Sequence, residues 1–205
     1  MFVPPNLRIQ DNQEVARFIS ENSFGILVSE SLDATHIPFI YNQNEGDNGI
    51  LYGHIARANP HTHQLTQEKA LVIFSGPHAY ISPTWYEEGP GVPTWNYTAV
   101  HCKGQASLLS DEESVQAMDA LVTKYEPTLL DNEVLMPADY QAKLRRGVVG
   151  FKVVIEHIDA KEKLGQQRKA VDQQGVFKAL SESAELGDIK LANYMQKRQL
   201  GLGGV

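Results

Sequence analysis

Short apolar runs bounded by turn residues fill the first half of the chain, and their length and β-rich composition predict strands. The runs are FGILVSE (24–30), ATHIPFIYN (34–42), GILYGHIA (49–56), KALVIFSG (69–76), HAYISPTWY (78–86) and TWNYTAVHCKGQASLL (94–109). Between them lie SLD, NEGDNG, GP and EEGPGV, which are turn compositions. The stretch RANPHTHQLTQE, between the third and fourth runs, has room for a turn and a short helix. One more strand is predicted over 148–164, the most β-rich run of all.

Helical spacing appears in fewer places. Asp11 with Glu14 predicts a capped helix that buries Val15, Phe18 and Ile19. Ser110 with Glu113 predicts a second, over 111–126, with Val115, Met118, Leu121, Val122 and Tyr125 as its buried stripe and Pro127 as its stop. Pro137 opens a third through ADYQAKLRR, and the tail from about 170 is helical in propensity. The outline is mainly β with α: six to seven antiparallel strands, covering helices and a helical C-terminal tail. Hairpin-linked strands without long crossovers favour a barrel or sandwich over a parallel sheet. One domain is expected over 1–205, with a barrel core over about 20–165 and a helical extension over about 166–205.

Composition narrows the function classes. The 42% apolar and 21% charged fractions are those of a soluble globular protein, and no apolar run approaches the roughly 20 residues that span a bilayer. One cysteine, Cys102, excludes an internal disulfide and suits the cytoplasm. The net charge of −7 opposes a surface built wholly for a phosphate backbone, but the charge is uneven. Residues 1–140 hold 6 of the 18 Lys/Arg and 18 of the 25 Asp/Glu, so the remainder, 141–205, is basic. A polyanion such as DNA, if contacted, meets that last third; the bland reading of the same charges is a solvated helical surface.

Familiar catalytic signatures are missing. There is no GxSxG, GxxxxGK, GxGxxG, HExxH or CxxC, and Cys102 lies within a strand run as a buried thiol would. Six of seven histidines, His36, His54, His61, His63, His78 and His101, lie in the first half; His61 and His63 alone do not make a metal site, and no metal is expected. More informative is YGHIARANPH (52–61), where a strand ends on His54, Arg57 and Asn59 before Pro60. A guanidinium at a strand exit can hold phosphate through parallel hydrogen bonds, although a surface ion pair is its commoner fate.

The tripeptide Pro-Thr-Trp occurs at 83–85 and again at 93–95, around EEGPGV. Proline cannot donate to a ladder, so both belong near strand ends. Trp85, Tyr86, Trp95 and Tyr97 then cluster at one end of a hairpin with Ser82, Thr84, Asn96 and Thr98, a lining suited to a flat heteroaromatic ligand or, equally, to core or dimer packing.

THIPF, LYGHIARANPH, FSGPHAYISPTWY, VPTWNYTAVHCKG and EKLGQQR stand in the order and spacing of the PaiB-type proteins, and the resemblance covers essentially the whole chain. These are FMN-binding negative transcriptional regulators. The resemblance implies a split β-barrel like that of the pyridoxamine-phosphate oxidases, a homodimer, and FMN held between subunits. Carried onto this chain, it points to His54, Ile55, Ala56, Arg57 and Asn59 for the phosphate, Arg57 foremost. It points to Ser82, Thr84, Trp85 and Asn96 for the isoalloxazine or the dimer seam. Ala56 stands where many oxidase-like relatives have Ser or Thr, which removes one phosphate hydroxyl.

Three functions follow from this. The first is a dimeric flavin-binding regulator that meets DNA, if at all, through 141–205. A second is an FMN-dependent oxidoreductase in which His101 or His54 donates a proton near the ring; the third is a haem-handling barrel with a histidine axial ligand. No helix-turn-helix signature accompanies the regulator reading.

Overall fold

The computed structural model describes residues 1–66 and 68–204, so Gln67 of the RANPHTHQLTQE stretch and Val205 of the tail lie outside the described residues. Seven strands form one sheet: β1 Phe24–Ser29, β2 Ala34–Pro38, β3 Ile40–Asn42, β4 Ile50–Ala56, β5 Lys69–Ile81, β6 Thr94–Leu108 and β7 Val148–Lys163. Their order is β2-β1-β5-β6-β7-β4-β3. The ladders β1–β2, β1–β5, β3–β4 and β4–β7 are antiparallel.

The order contains its own closure. β2 and β3 end the sheet on opposite sides, yet only Phe39 separates them in sequence. Two consecutive virtual bonds of 3.8 Å bring Pro38 and Ile40 within about 7.6 Å. The sheet must therefore curl until its margins nearly meet, which makes it a split β-barrel. The predicted single strand over 34–42 breaks at this point because Phe39 turns inward. Its ring is fully buried and meets Phe74 and Phe151 edge-on, at centroid distances of 5.6 and 6.1 Å. Its N–H donates to the Ser23 carbonyl at 2.8 Å.

The chain divides into two compact units. The larger comprises Met1, Asp11–Phe74 and Val100–Asp159. Its helix α1, Asn12–Glu21, starts where the Asp11 carboxylate accepts the Gln13 N–H at 2.8 Å, and buries Val15, Phe18 and Ile19 as the spacing predicts. Helix α2, Asp111–Tyr125, carries the predicted capping box in full: Ser110 Oγ accepts the Glu113 N–H, and Glu113 accepts the Ser110 N–H. Its apolar stripe is another matter. None of Val115, Met118, Leu121, Val122 and Tyr125 is fully buried, because part of the stripe lines a cavity instead of closing on the sheet. Helix α3, Ala138–Arg145, follows and also buries no residue fully.

The predicted break at Gly76-Pro77 does not occur; β5 runs through it to Ile81. What changes there is parity: Ala70, Val72 and Phe74 are buried before it, Ala79 and Ile81 after it. An extended chain absorbs proline by shifting one residue in register, and every later side chain exchanges faces. Cys102, fully buried on β6, has its thiol pushed up to about 12 by desolvation, so it is an inert apolar residue.

The smaller unit comprises Phe2–Gln10, Ser75–Ala99 and Ala160–Val205. The helical tail is two helices, α4 Ala170–Ser181 and α5 Leu186–Arg198. Its core joins Ala79, Ile81 and Leu164 to Val176 and Leu180 of α4 and to Leu191, Ala192 and Met195 of α5. Glu162, 3% exposed near the end of β7, is held bidentately by Arg198 at 2.9 Å through both oxygens, and by the Tyr194 hydroxyl at 3.0 Å.

Candidate functional site

In the larger unit the predicted phosphate residues lie along the end of β4, paired with the start of β7: His54 opposite Gly150, Ile55 opposite Val149, Ala56 opposite Val148. Alternation sends Ile55 into the core, 2% exposed, so only its backbone is available to a ligand. His54 is on the other face, half-buried, and desolvation lowers its imidazole pKa. Ala56 and Arg57 emerge into solvent.

Arg57 is oriented before any ligand arrives. Its Nε donates to the Arg146 carbonyl and its Nη2 to the Val148 carbonyl, both at 3.0 Å, while its backbone N–H donates to Gly147 at 2.9 Å. These bonds use two of the five guanidinium N–H groups and leave three. Asn59 is a capping residue: its Oδ1 accepts the His61 N–H at 3.0 Å at the start of a 3-10 turn over Pro60–Gln64. His61, predicted at most as half of a metal pair, is 3% exposed in that turn. Its Nδ1 meets Thr35 Oγ1 at 2.9 Å, and its Nε2 is buried without a partner among the described residues. Burial lowers its pKa, with Asp33 opposing more weakly.

Arg57 lines a cavity of about 630 Å³ with Arg145, Arg146, Val115, Met118 and Val149 among its walls. The volume lies within the ~300–1,000 Å³ of small-molecule sites. Three guanidinium groups beside apolar walls suit a ligand with an anionic head and a flat apolar body. Arg145 is braced by Asp119 at 2.7 Å and by Gln141 at 3.1 Å; Arg146 is exposed. From sequence, these two arginines read only as part of the basic last third, because nothing in their spacing ties them to Arg57. The β4–β7 pairing does so.

The other four predicted residues belong to the smaller unit. Ser82 caps a 3-10 turn over Pro83–Trp85, accepting the Thr84 N–H at 3.2 Å and pairing its hydroxyl with Thr84 Oγ1 at 2.8 Å. Trp85 packs on the α4–α5 core, and Gly175 fits under its carbonyl, where a Cβ would approach to 2.2 Å. Trp95, by contrast, is 53% exposed on β6, with its indole 6.0 Å from His78 and 6.3 Å from Tyr80. The two Pro-Thr-Trp segments, predicted as matching strand ends, therefore do different things: one turns inward as a 3-10 coil, the other starts a strand. Asn96, beside Trp95 and on the opposite face, is 2% exposed and lines a second cavity of about 110 Å³. Lys163 lines it too; burial lowers its pKa first, Lys161 and Arg168 add to this, and Tyr97 opposes.

The basic last third is largely spoken for. Arg145, Lys152, Lys169 and Arg198 sit in ion pairs. Lys161 donates to the Phe2 carbonyl, and Lys163 to Thr94 and the Trp95 carbonyl. Among the described residues no group of three or more His, Cys, Asp or Glu could hold a metal ion, and no helix is long and apolar enough to cross a membrane.

Comparison with known proteins agrees with this architecture. Residues 1–157 match the family model described as "Putative FMN-binding domain". The chain is 36% identical over 207 residues to the protease synthase and sporulation protein PAI 2 of Bacillus subtilis, covering 97% of this chain and 98% of that one. Among solved structures it is similar to a flavocytochrome from Azotobacter vinelandii, with a TM-score of 0.56 and 16% identity over 78% of this chain and 72% of that one. It is also similar to an FAD- and haem-binding protein from Mycobacterium smegmatis, with a TM-score of 0.57 and 13% identity over 76% of this chain and 73% of that one. At such identities the last two speak for the fold.

Proposed function

We propose, from the premise that this chain belongs to the PaiB-type family of FMN-binding domains with FMN as its cofactor, that it is a dimeric flavoprotein regulator whose flavin phosphate is held at the exit of β4. One observation carries the placement: Arg57, the residue the resemblance singles out, is pre-oriented on a cavity that also presents Arg145 and Arg146. A phosphate needs fixed donors and opposite charge; Arg57 supplies the fixed donors, and with Arg145 and Arg146 it outweighs the one carboxylate of the lining, Asp111. The apolar wall of Val115, Met118 and Val149 suits the ring. Bound FMN supplies hydride chemistry to whichever partner it meets. The protein's own residues bind, orient and exclude water. His54 stands near the phosphate end, on the same strand, and Asn59 keeps the turn after it in shape.

Purified protein is expected to show a flavin band at about 450 nm, and a strong band at about 400 nm instead would replace this reading with a haem protein. Bleaching by NADH or NADPH would shift the assignment from sensor to oxidoreductase.

The homodimer seam is proposed at the exposed aromatic ladder of His78, Tyr80 and Trp95 in the smaller unit. Rings stacked on a solvent face suit a second copy better than water. Trp95→Glu is expected to sediment as a monomer where the parent sediments as a dimer; an unchanged dimer would move the seam elsewhere.

Regulation of transcription is supported by the resemblance and by the basic last third. With Lys161 and Lys163 committed internally, the DNA-facing charges proposed in the smaller unit are the exposed Lys178 and Lys190. In a gel-shift series at low salt, replacing both by glutamine is expected to weaken binding and lower the salt slope by about 0.9 per lost phosphate contact. No shift for the parent, or an identical shift for the double variant, removes direct DNA contact through these lysines.

A further inference from the structure

Three of the five motifs that carry the resemblance end on one small cavity in the smaller unit. FSGPHAYISPTWY contributes Ile81 and Tyr86, VPTWNYTAVHCKG contributes Val92, Thr94 and Asn96, and EKLGQQR contributes Lys163, Leu164, Gly165, Gln167 and Arg168. The family match ends at residue 157, before the last of these motifs, and the flavin reading uses no part of this cavity except Asn96. We propose that the cavity binds a small organic carboxylate that also carries a hydroxyl or ammonium donor.

Size sets the first limit. At about 110 Å³ it holds the volume of roughly four water molecules, enough for roughly two to three carbons with their oxygens and far too little for a flavin.

Charge sets the second. The Arg168 guanidinium lies over the Tyr86 ring, 4.5 Å from its centroid, and none of its donors reaches a protein acceptor among the described residues. Lys163 spends two of its three N–H donors on Thr94 Oγ1 at 2.6 Å and the Trp95 carbonyl at 2.8 Å, leaving one. The amide of Asn96 is 2% exposed at the same wall. Asp172, also in the lining and 3% exposed, accepts the Glu88 N–H through Oδ1 at 2.9 Å and keeps Oδ2 without a protein donor among the described residues. Two half-buried cations against one carboxylate leave the lining one charge positive, which favours a single counter-charge. A dianionic phosphate would crowd Asp172. A monocarboxylate with a donor satisfies Arg168, Lys163 and Asn96 with its anion, and Asp172 with its donor.

The segment that leads to Val92 is tethered next to the cavity: Asp172 accepts the Glu88 N–H, and Lys169 pairs with Glu88 at 2.6 Å. Gly165 makes the turn at positive φ, +79°, that carries Lys163 and Arg168 to the same wall.

Titration calorimetry of the full chain tests this with glycolate, L-serine, acetate and inorganic phosphate, with the flavin spectrum of each sample recorded in parallel. Glycolate or L-serine should bind saturably at one site, acetate about tenfold more weakly for want of the donor, and phosphate more weakly still. Arg168→Gln should lose about tenfold or more in affinity for glycolate while melting like the parent, and Arg168→Lys should recover only part of it. Asp172→Asn should shrink the gap between glycolate and acetate. The proposal is overturned if none of the four binds below about 10 mM, if phosphate binds as tightly as glycolate, or if Arg168→Gln and Arg168→Lys both bind like the parent. The flavin spectrum should be the same in all variants, so loss of this site and loss of the flavin site give different records.

Discussion

Arg57→Ala is expected to weaken FMN by roughly 10- to 100-fold, the worth of one charge-assisted, forked contact to phosphate. The guanidinium also ties β4 to the first residues of β7 through the Arg146 and Val148 carbonyls, so the same truncation removes two structural hydrogen bonds. These two roles separate experimentally. Arg57→Lys keeps the charge but cannot reproduce the fork, so it should lose most of the FMN affinity and melt between Arg57→Ala and the parent. Fluorescence quenching of added FMN reads the first role and thermal melting the second. Should both variants bind FMN like the parent while melting lower, Arg57 is only a clamp, and the phosphate lies elsewhere. Arg145→Gln provides a second check: it should weaken FMN too, since Arg145 lines the same cavity.

Arg198→Met is expected to destabilise the fold by about 3–5 kcal/mol. Glu162 is 3% exposed, and both its oxygens are taken by Arg198; without that partner a carboxylate stays buried with one tyrosine hydroxyl. Urea denaturation of the parent, Arg198→Met, Glu162→Gln and the double variant gives the coupling between them. The double variant should recover much of the loss, because it leaves no uncompensated charge. If the two single losses simply add, the pair does not hold α5 to the end of β7, and the apolar cluster around Leu191 and Met195 does so alone.

The same pair shows where sequence reading stops. Helix spacing in the tail exposes Leu191 and Met195 as a core face, but nothing in a linear pattern says that Arg198 will reach a glutamate 36 residues earlier. Local rules did well where a local cause acts. Asp11 and Ser110 begin helices by satisfying orphan N–H groups within three residues. Composition failed at Gly76-Pro77, because a turn dipeptide only breaks a strand when the pairing on both sides allows it, and there β5 continues in the sheet. It also overstated the likeness of the two Pro-Thr-Trp segments: Ser82 caps the first into a 3-10 turn, and the second leads straight into β6. The place of Arg57 at a strand exit was legible because it is a local feature. Its companions were not, since Arg145 and Arg146 come to it through the pairing of β4 with β7. Equally, EKLGQQR was visible as a motif, but its meeting with Asn96 and Tyr86 depends on three distant segments.

Phe39 gives the barrel's seam a particular weakness. The stretch that carries it supplies both outer strands, β2 and β3, and among the described residues neither pairs with another strand on its outer side. Losing the ring would leave more than a void among Phe74 and Phe151. It would free the corner that holds the two margins together and offer two rows of unpaired N–H and C=O groups to other chains at once. A core residue in this position guards against self-association, and a damaged Phe39 would show itself in aggregation before it showed in lost secondary structure.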